Sequence, residues 1–205
     1  MDISYKGANC VVIKTKKDTV VIDPTVNVKA REVADKNAVI LATQEDFLPE
    51  GEAAFVVNMP GEYEIRDVSV RGVATKRHID PEGKAATMYR VEVGGVRFAI
   101  IGHVDAPISD EDLETIGVVD VVIVPVGGGG YTLDSRDATT IVRQISPKVV
   151  IPTHFADKSV AYEVPQEGIE PFIKEMGGLH ETVHSLKLKN GLLPDSLTVF
   201  EIARS

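Results

Sequence analysis

Short apolar runs broken by Gly, Asp and Pro dominate the first half of the chain. They predict strands over 3–5, 10–14, 19–22, 38–42 and 53–58, because the runs are rich in Val and Ile and too short for helices. Residues 64–65 and 68–75 predict a hairpin around Arg66-Asp67. A clearer hairpin is predicted over 88–93 and 96–101, where Gly94-Gly95 supplies the positive φ angles that a two-residue turn requires. The rhythm then changes. Ser109 followed by acids predicts the start of a helix that ends before Gly117. The continuous apolar run 118–124 predicts a strand covered on both faces. Asp134 caps a predicted helix reaching Ile145, and 148–151 reads as another buried strand. A helix over 166–176, closed by Gly177-Gly178, and a strand over 196–202 complete the pattern. Strands first, then alternating helices and strands, predict sheets with helices on their outer faces in one domain over 1–205.

Composition narrows the partners. The 205 residues suit one domain with a substantial core, and the absence of Trp makes Val, Ile, Leu and Ala its main material. A formal net charge of −9 works against docking on phosphate backbones or anionic lipid, so nucleic acid and membrane are not expected as partners. A small molecule is expected instead, and a homo-oligomer is compatible with the Val-rich strands. The single cysteine, Cys10, excludes an intramolecular disulfide and a four-thiolate zinc site, and reads as a small buried hydrophobe. Residues 1–4 show no basic segment leading into an apolar stretch, and no apolar run approaches a membrane span. A cytoplasmic protein is expected.

Five loops combine small with titratable residues: Ile22-Asp23-Pro24, the stretch 42–49, Arg77-His78-Ile79-Asp80, Gly102-His103-Val104-Asp105 and Pro152-Thr153-His154-Phe155. Loops at strand ends are where function concentrates. His78, His103 and His154 each follow an apolar strand directly, and three histidines around one ion leave an open position for water. His180 and His184 read as surface residues in the run toward the last strand. The cluster Gly127 to Gly130 lacks the Lys and Ser/Thr of a phosphate loop and reads as a tight connection.

Taken in order, these segments resemble the metallo-β-lactamase superfamily, in particular its small bacterial branch related to ascorbate-6-phosphate lactonase. Gly7-Ala8-Asn9-Cys10 is similar to that branch's opening turn, and Val20-Val21-Ile22-Asp23-Pro24 to its Asp-Pro strand end. Pro60-Gly61-Glu62-Tyr63 matches its Pro-Gly-Glu segment. The most specific piece is Val122-Ile123-Val124-Pro125-Val126-Gly127-Gly128 with Tyr131-Thr132-Leu133-Asp134. Val149-Val150-Ile151-Pro152-Thr153-His154-Phe155 resembles its later histidine-bearing strand end. The resemblance implies an α/β fold: an αββα sandwich, two mixed β-sheets flanked by helices.

The departures bear on function. The superfamily's His-x-His-x-Asp-His loop corresponds to Thr43-Gln44-Glu45-Asp46-Phe47-Leu48-Pro49. Gln44 stands at the first histidine, Asp46 at the second, Leu48 at the aspartate and Pro49 at the last histidine. The aspartate that bridges two metals is replaced by His103, whereas His78 and His154 fall on ligand positions. Two readings follow. The favoured one is a degenerate member without the two-metal hydrolytic site, whose cleft binds a small molecule or a protein. The alternative is a hydrolase of a lactone, ester or phosphoester, with one zinc ion on His78, His103 and His154 and with Asp46 as fourth ligand or general base. Asp23, Gln44, Asp105 and Asp134 complete the expected cleft, and 51–54 and 158–165 are expected rim loops. The fold does not choose among substrates.

Overall fold

The structure, a computed structural model, describes residues 1–24, 37–48, 55–78, 85–189 and 192–205. Strands β1 (Asp2–Gly7), β2 (Cys10–Lys14) and β3 (Thr19–Ile22) form an antiparallel meander, to which β4 (Val39–Leu41) and β5 (Phe55–Val57) add in parallel. The second sheet opens with the antiparallel strands β6 (Gly61–Ile65), β7 (Val68–Lys76), β8 (Ala85–Val93) and β9 (Val96–Ile100). It continues in parallel through β10 (Val121–Pro125), β11 (Val149–Thr153), β14 (Thr198–Ile202) and β12 (Leu179–Val183). A short β13 (Leu186–Lys187) closes the outer edge of β1. The sheet orders are β13-β1-β2-β3-β4-β5 and β12-β14-β11-β10-β9-β8-β7-β6.

Parallel neighbours cannot be joined by a tight turn, so helices carry the crossovers. Helix α1 (Asp110–Ile116) links β9 to β10, α2 (Ser135–Ile145) links β10 to β11, and α3 (Glu170–Met176) precedes β12. The caps are those the sequence predicts: Ser109 accepts from the Asp112 N–H, and the Asp134 carboxylate accepts from the N–H groups of Arg136 and Asp137. The turn between β8 and β9 also follows expectation, with Gly94 and Gly95 at φ 59° and 76°.

Alternation along the strands divides the apolar residues among three layers. Val11, Ile13, Val20 and Ile22 face Val91, Phe98, Val121 and Ile151 across the space between the sheets. Val122, Val124 and Val150 point outward beneath Ala138, Ile141, Val142 and Phe172 of the helices. Cys10, Val12, Val21 and Ile40 lie on the outer face of the first sheet with Val160. The Tyr89 hydroxyl ties the sheets together, donating to the Ala42 carbonyl at 2.9 Å. Two mixed sheets with helices against the outer face of the second are thus present. Among the described residues no α-helix covers the first sheet.

Several boundaries differ from the sequence pattern, and two strands escape it. Helix α3 starts at Glu170 rather than at 166, because Gln166 and Glu167 are committed to the loop: the Glu167 N–H donates to the Gly127 carbonyl at 2.8 Å. Strand β10 starts at Val121, with Val118 turned out to solvent and the Asp120 carboxylate held by Arg97 at 2.8 Å. Strands β12 and β13 escape the pattern because β12 carries mostly exposed side chains on a sheet edge. The expected strand over 53–58 is present as β5, while 53–54 and the rim loop at 51–54 fall outside the described residues. No helix among the described residues is long and apolar enough to cross a membrane.

Candidate binding cleft

Strands β9, β10 and β11 run in one direction, so their carboxyl ends open on one rim of the sandwich, where α/β sheets bind ligands. Three non-glycine residues adopt left-handed backbone there: Ala8 (φ 48°), Asp23 (φ 42°) and His154 (φ 52°). Such conformations cost about 1–3 kcal/mol each and cluster at functional sites. The His154 N–H donates to the Ala8 carbonyl at 2.8 Å, stitching the first sheet's opening turn to the second sheet.

His103 follows β9 and is fully buried. Its ring packs edge-on against His154, centroids 4.7 Å apart at 87°, and touches Tyr131 at 4.9 Å and Phe47 at 5.2 Å. Its Nδ1 lies 3.3 Å from the Tyr131 carbonyl, which can only accept. The ring therefore carries its proton on Nδ1 and presents Nε2 as a bare lone pair, buried and unpartnered among the described residues. Burial and the neighbouring His154 hold this imidazole far below the usual histidine range, against the favourable bond to Tyr131. His154 is lowered to about 4, mainly by burial. Its Nδ1 donates to the Gln166 Oε1 at 3.2 Å, an orientation set by the Gln166 amide donating to the Val164 carbonyl at 2.8 Å. Both histidines are thus neutral at pH 7.

Above them opens a cavity of about 280 Å³. Phe47, Tyr131, Tyr162 and His154 supply aromatic walls, and Asp46 and Glu163 supply carboxylates. This volume falls at the lower end of small-ligand cavities, which run from roughly 300 to 1,000 Å³.

The sequence-predicted residues separate into distinct places. His103 and His154 meet. His78, at the end of β7, instead brings its Nδ1 to 4.0 Å from Asp105, while its N–H donates to the His103 carbonyl. Asp46 is exposed on the rim and pairs with Arg77 at 3.3 Å. Gln44 is buried, with both amide atoms unpartnered among the described residues. Asp23 lies beneath the cleft, accepting from the Thr43 N–H at 2.7 Å and the Thr43 hydroxyl at 2.8 Å. Burial raises Asp23 to about 7, and the bonds from Thr43 oppose that rise. Asp134 is committed to capping α2, and Asp105 is exposed. Pro49 and the residues Ile79 and Asp80 fall outside the described residues. Phe47, Tyr162, Glu163 and Gln166 were not singled out from the sequence. An aromatic wall assembled from separate loops leaves no spacing signal, although the rim loop over 158–165 does line the cavity.

The donor set does not fit the superfamily's metal centre. By the resemblance Gln44 and Leu48 fall where the superfamily has an imidazole and a carboxylate, and Asp46 is engaged by the Arg77 guanidinium. Among the described residues, no three His, Cys, Asp or Glu side chains are grouped to hold a metal ion.

The chain is similar to proteins of this scaffold. A UPF0173 protein from Pyrococcus furiosus is 35% identical over 100 residues, spanning 49% of this chain and 44% of that protein's length. A UPF0173 protein from Pyrococcus abyssi is 26% identical over 183 residues, covering 76% of this chain and 83% of its own. The resemblance is therefore not confined to bacterial chains. A crystal structure from Thermotoga maritima, of a proposed zinc-dependent hydrolase of the metallo-β-lactamase superfamily, superposes with a TM-score of 0.72 at 23% identity, covering 98% of this chain and 99% of that one. The family model described as a β-lactamase superfamily domain matches residues 2–154. On this match and the fold that carries it, the chain belongs to the metallo-β-lactamase superfamily.

Proposed function

We propose that this chain binds a small molecule in the cleft at its strand ends and does not carry out two-metal hydrolysis. The observation that carries the reading is the direct packing of His103 against His154, with Gln44 and Leu48 in place of donors. A bridging hydroxide needs two ions held by most of their ligands, and even outer-shell losses cost roughly 10- to 100-fold in metal affinity or activity. Here the loss falls on the ligands themselves.

A one-zinc site keeps a specific observation in its favour, since His103 and His154 both offer an unprotonated Nε2. Among the described residues no third ligand is grouped with them, and the His78 Nδ1 stands 4.0 Å from Asp105. Elemental analysis of protein purified without chelators, beside a His103→Ala variant, separates the two. The proposal expects substoichiometric zinc in both and no turnover of ester, lactone or phosphodiester substrates. Stoichiometric zinc that disappears in the variant, together with such turnover, contradicts it.

A further inference from the structure

One acceptor in the cleft is held in a fixed state. The Gln166 amide donates to the Val164 carbonyl at 2.8 Å, which turns its Oε1 toward the His154 Nδ1 at 3.2 Å. An amide oxygen only accepts, so the imidazole proton stays on Nδ1 and Nε2 keeps a bare lone pair. His154 is 5% exposed and lines the cavity of about 280 Å³. Among the described residues no group bonds its Nε2. Unlike the His103 Nε2 it is not sealed off, so the lone pair opens on the cavity.

Charge around the cavity is already matched. Arg77 pairs with Asp46 at 3.3 Å and donates to the Tyr131 hydroxyl, acting on it more strongly than Asp46 or Glu163 does. Glu163 is exposed to solvent, and burial keeps the His154 imidazole neutral. An entering ion would lose hydration and meet no buried, unmatched counter-charge. The walls are mainly rings. The His154 and Tyr162 centroids lie 5.0 Å apart and the His154 and Tyr131 centroids 5.8 Å apart, with Phe47 and Val160 beside them. An apolar cavity of about 150 Å³ holds benzene, so this one has room for a substituted ring.

We propose that the cleft takes an uncharged molecule of one aromatic ring bearing a hydroxyl or amide N–H, and that this donor bonds the His154 Nε2. This rests on the reading of the cleft as a metal-free binding site, since a metal would occupy the same lone pair. The ring lies against Phe47, Tyr131 and Tyr162. Gln166 is the positioning residue, because it keeps the proton on Nδ1 and so fixes Nε2 as an acceptor.

Four probes of similar shape test this on the chelator-treated full chain at pH 7, by titration calorimetry and saturation-transfer NMR: benzyl alcohol, benzyl methyl ether, benzylamine and benzoate. Benzyl alcohol is expected to bind on the order of tenfold more tightly than the ether, which cannot donate to the buried acceptor. Benzylamine and benzoate are both expected to bind more weakly than the alcohol. In long-range proton–nitrogen spectra the His154 Nε2 resonance is expected to move upfield with the alcohol and to stay in place with the ether. Gln166→Leu releases Nδ1 and is expected to shrink the alcohol-over-ether ratio to about twofold, a ratio from which changes of shape common to both probes cancel. Equal binding of alcohol and ether, a stationary Nε2 resonance, tighter binding of either ion, or no alcohol binding at millimolar concentration overturns the inference. Stoichiometric zinc with ester turnover in untreated protein overturns this inference and the proposed function together. Zinc-free protein that does not distinguish alcohol from ether overturns only the inference.

Discussion

Replacing His154 by Asn isolates the consequence of burying an imidazole under the cleft. Asn is among the few non-glycine residues that accept the left-handed backbone found there, at φ 52°. In the folded chain His154 is lowered to about 4 by burial, against about 6.5 when exposed. Between those values the unfolded chain binds a proton that the folded chain refuses. The stability His154 contributes is therefore complete above pH 6.5 and lost as pH falls through about 4. A gap of about 2.5 pH units, at 1.36 kcal/mol per unit, amounts to roughly 3 kcal/mol. His103 acts in the same direction. Asp23 opposes both, because a carboxyl raised to about 7 contributes stability that is complete below pH 3.8 and lost as pH rises through about 7. The difference between wild type and variant removes these shared contributions to first order. Urea unfolding of metal-free protein at pH 7 and pH 4 measures it. The wild type is expected to lose about 3 kcal/mol more than His154→Asn over that interval. A difference that stays constant with pH, or an NMR titration placing the His154 imidazole near 6.5, refutes the reasoning.

Other perturbations test the packing around the cleft. A Cβ added at residue 127 would stand 2.0 Å from the His154 carbonyl oxygen, so Gly127→Ala is expected to cost about 2–3 kcal/mol in chemical unfolding. Unchanged stability would show that the two loops are not in contact. Asp134→Ala removes the acceptor for two N–H groups at the start of α2 and is expected to cost about 1 kcal/mol, read as a lower melting temperature. Thr43→Val removes the hydroxyl donor to Asp23 and is expected to raise that carboxyl further above its wild-type value, measured by carbon NMR of the carboxylate.

Sequence periodicity carried the sandwich further than it carried the site. Val11, Ile13, Val20 and Ile22 alternate with outward residues, and Ser109, Asp134 and Gly94-Gly95 mark caps and a turn by local chemistry alone. Strand β12 was hidden because an edge strand with an exposed face lacks the apolar signal. The site depended on which way each imidazole turns. All three histidines follow strands, yet His78 turns to Asp105 while His103 turns to His154, a choice set by tertiary packing. Asp134 likewise looked like a cleft acid but serves the helix it precedes, a role its position before α2 already implied. Phe47, Tyr162 and Glu163 converge from separate loops, which no spacing records.

Anomalous X-ray diffraction at the zinc edge, from crystals grown with excess zinc, tests the central claim most directly. The account predicts no anomalous peak among His78, His103 and His154, with the two cleft imidazoles still packed edge-on. A full-occupancy peak about 2.0–2.1 Å from the nitrogens of His103 and His154, with a third protein ligand, contradicts it.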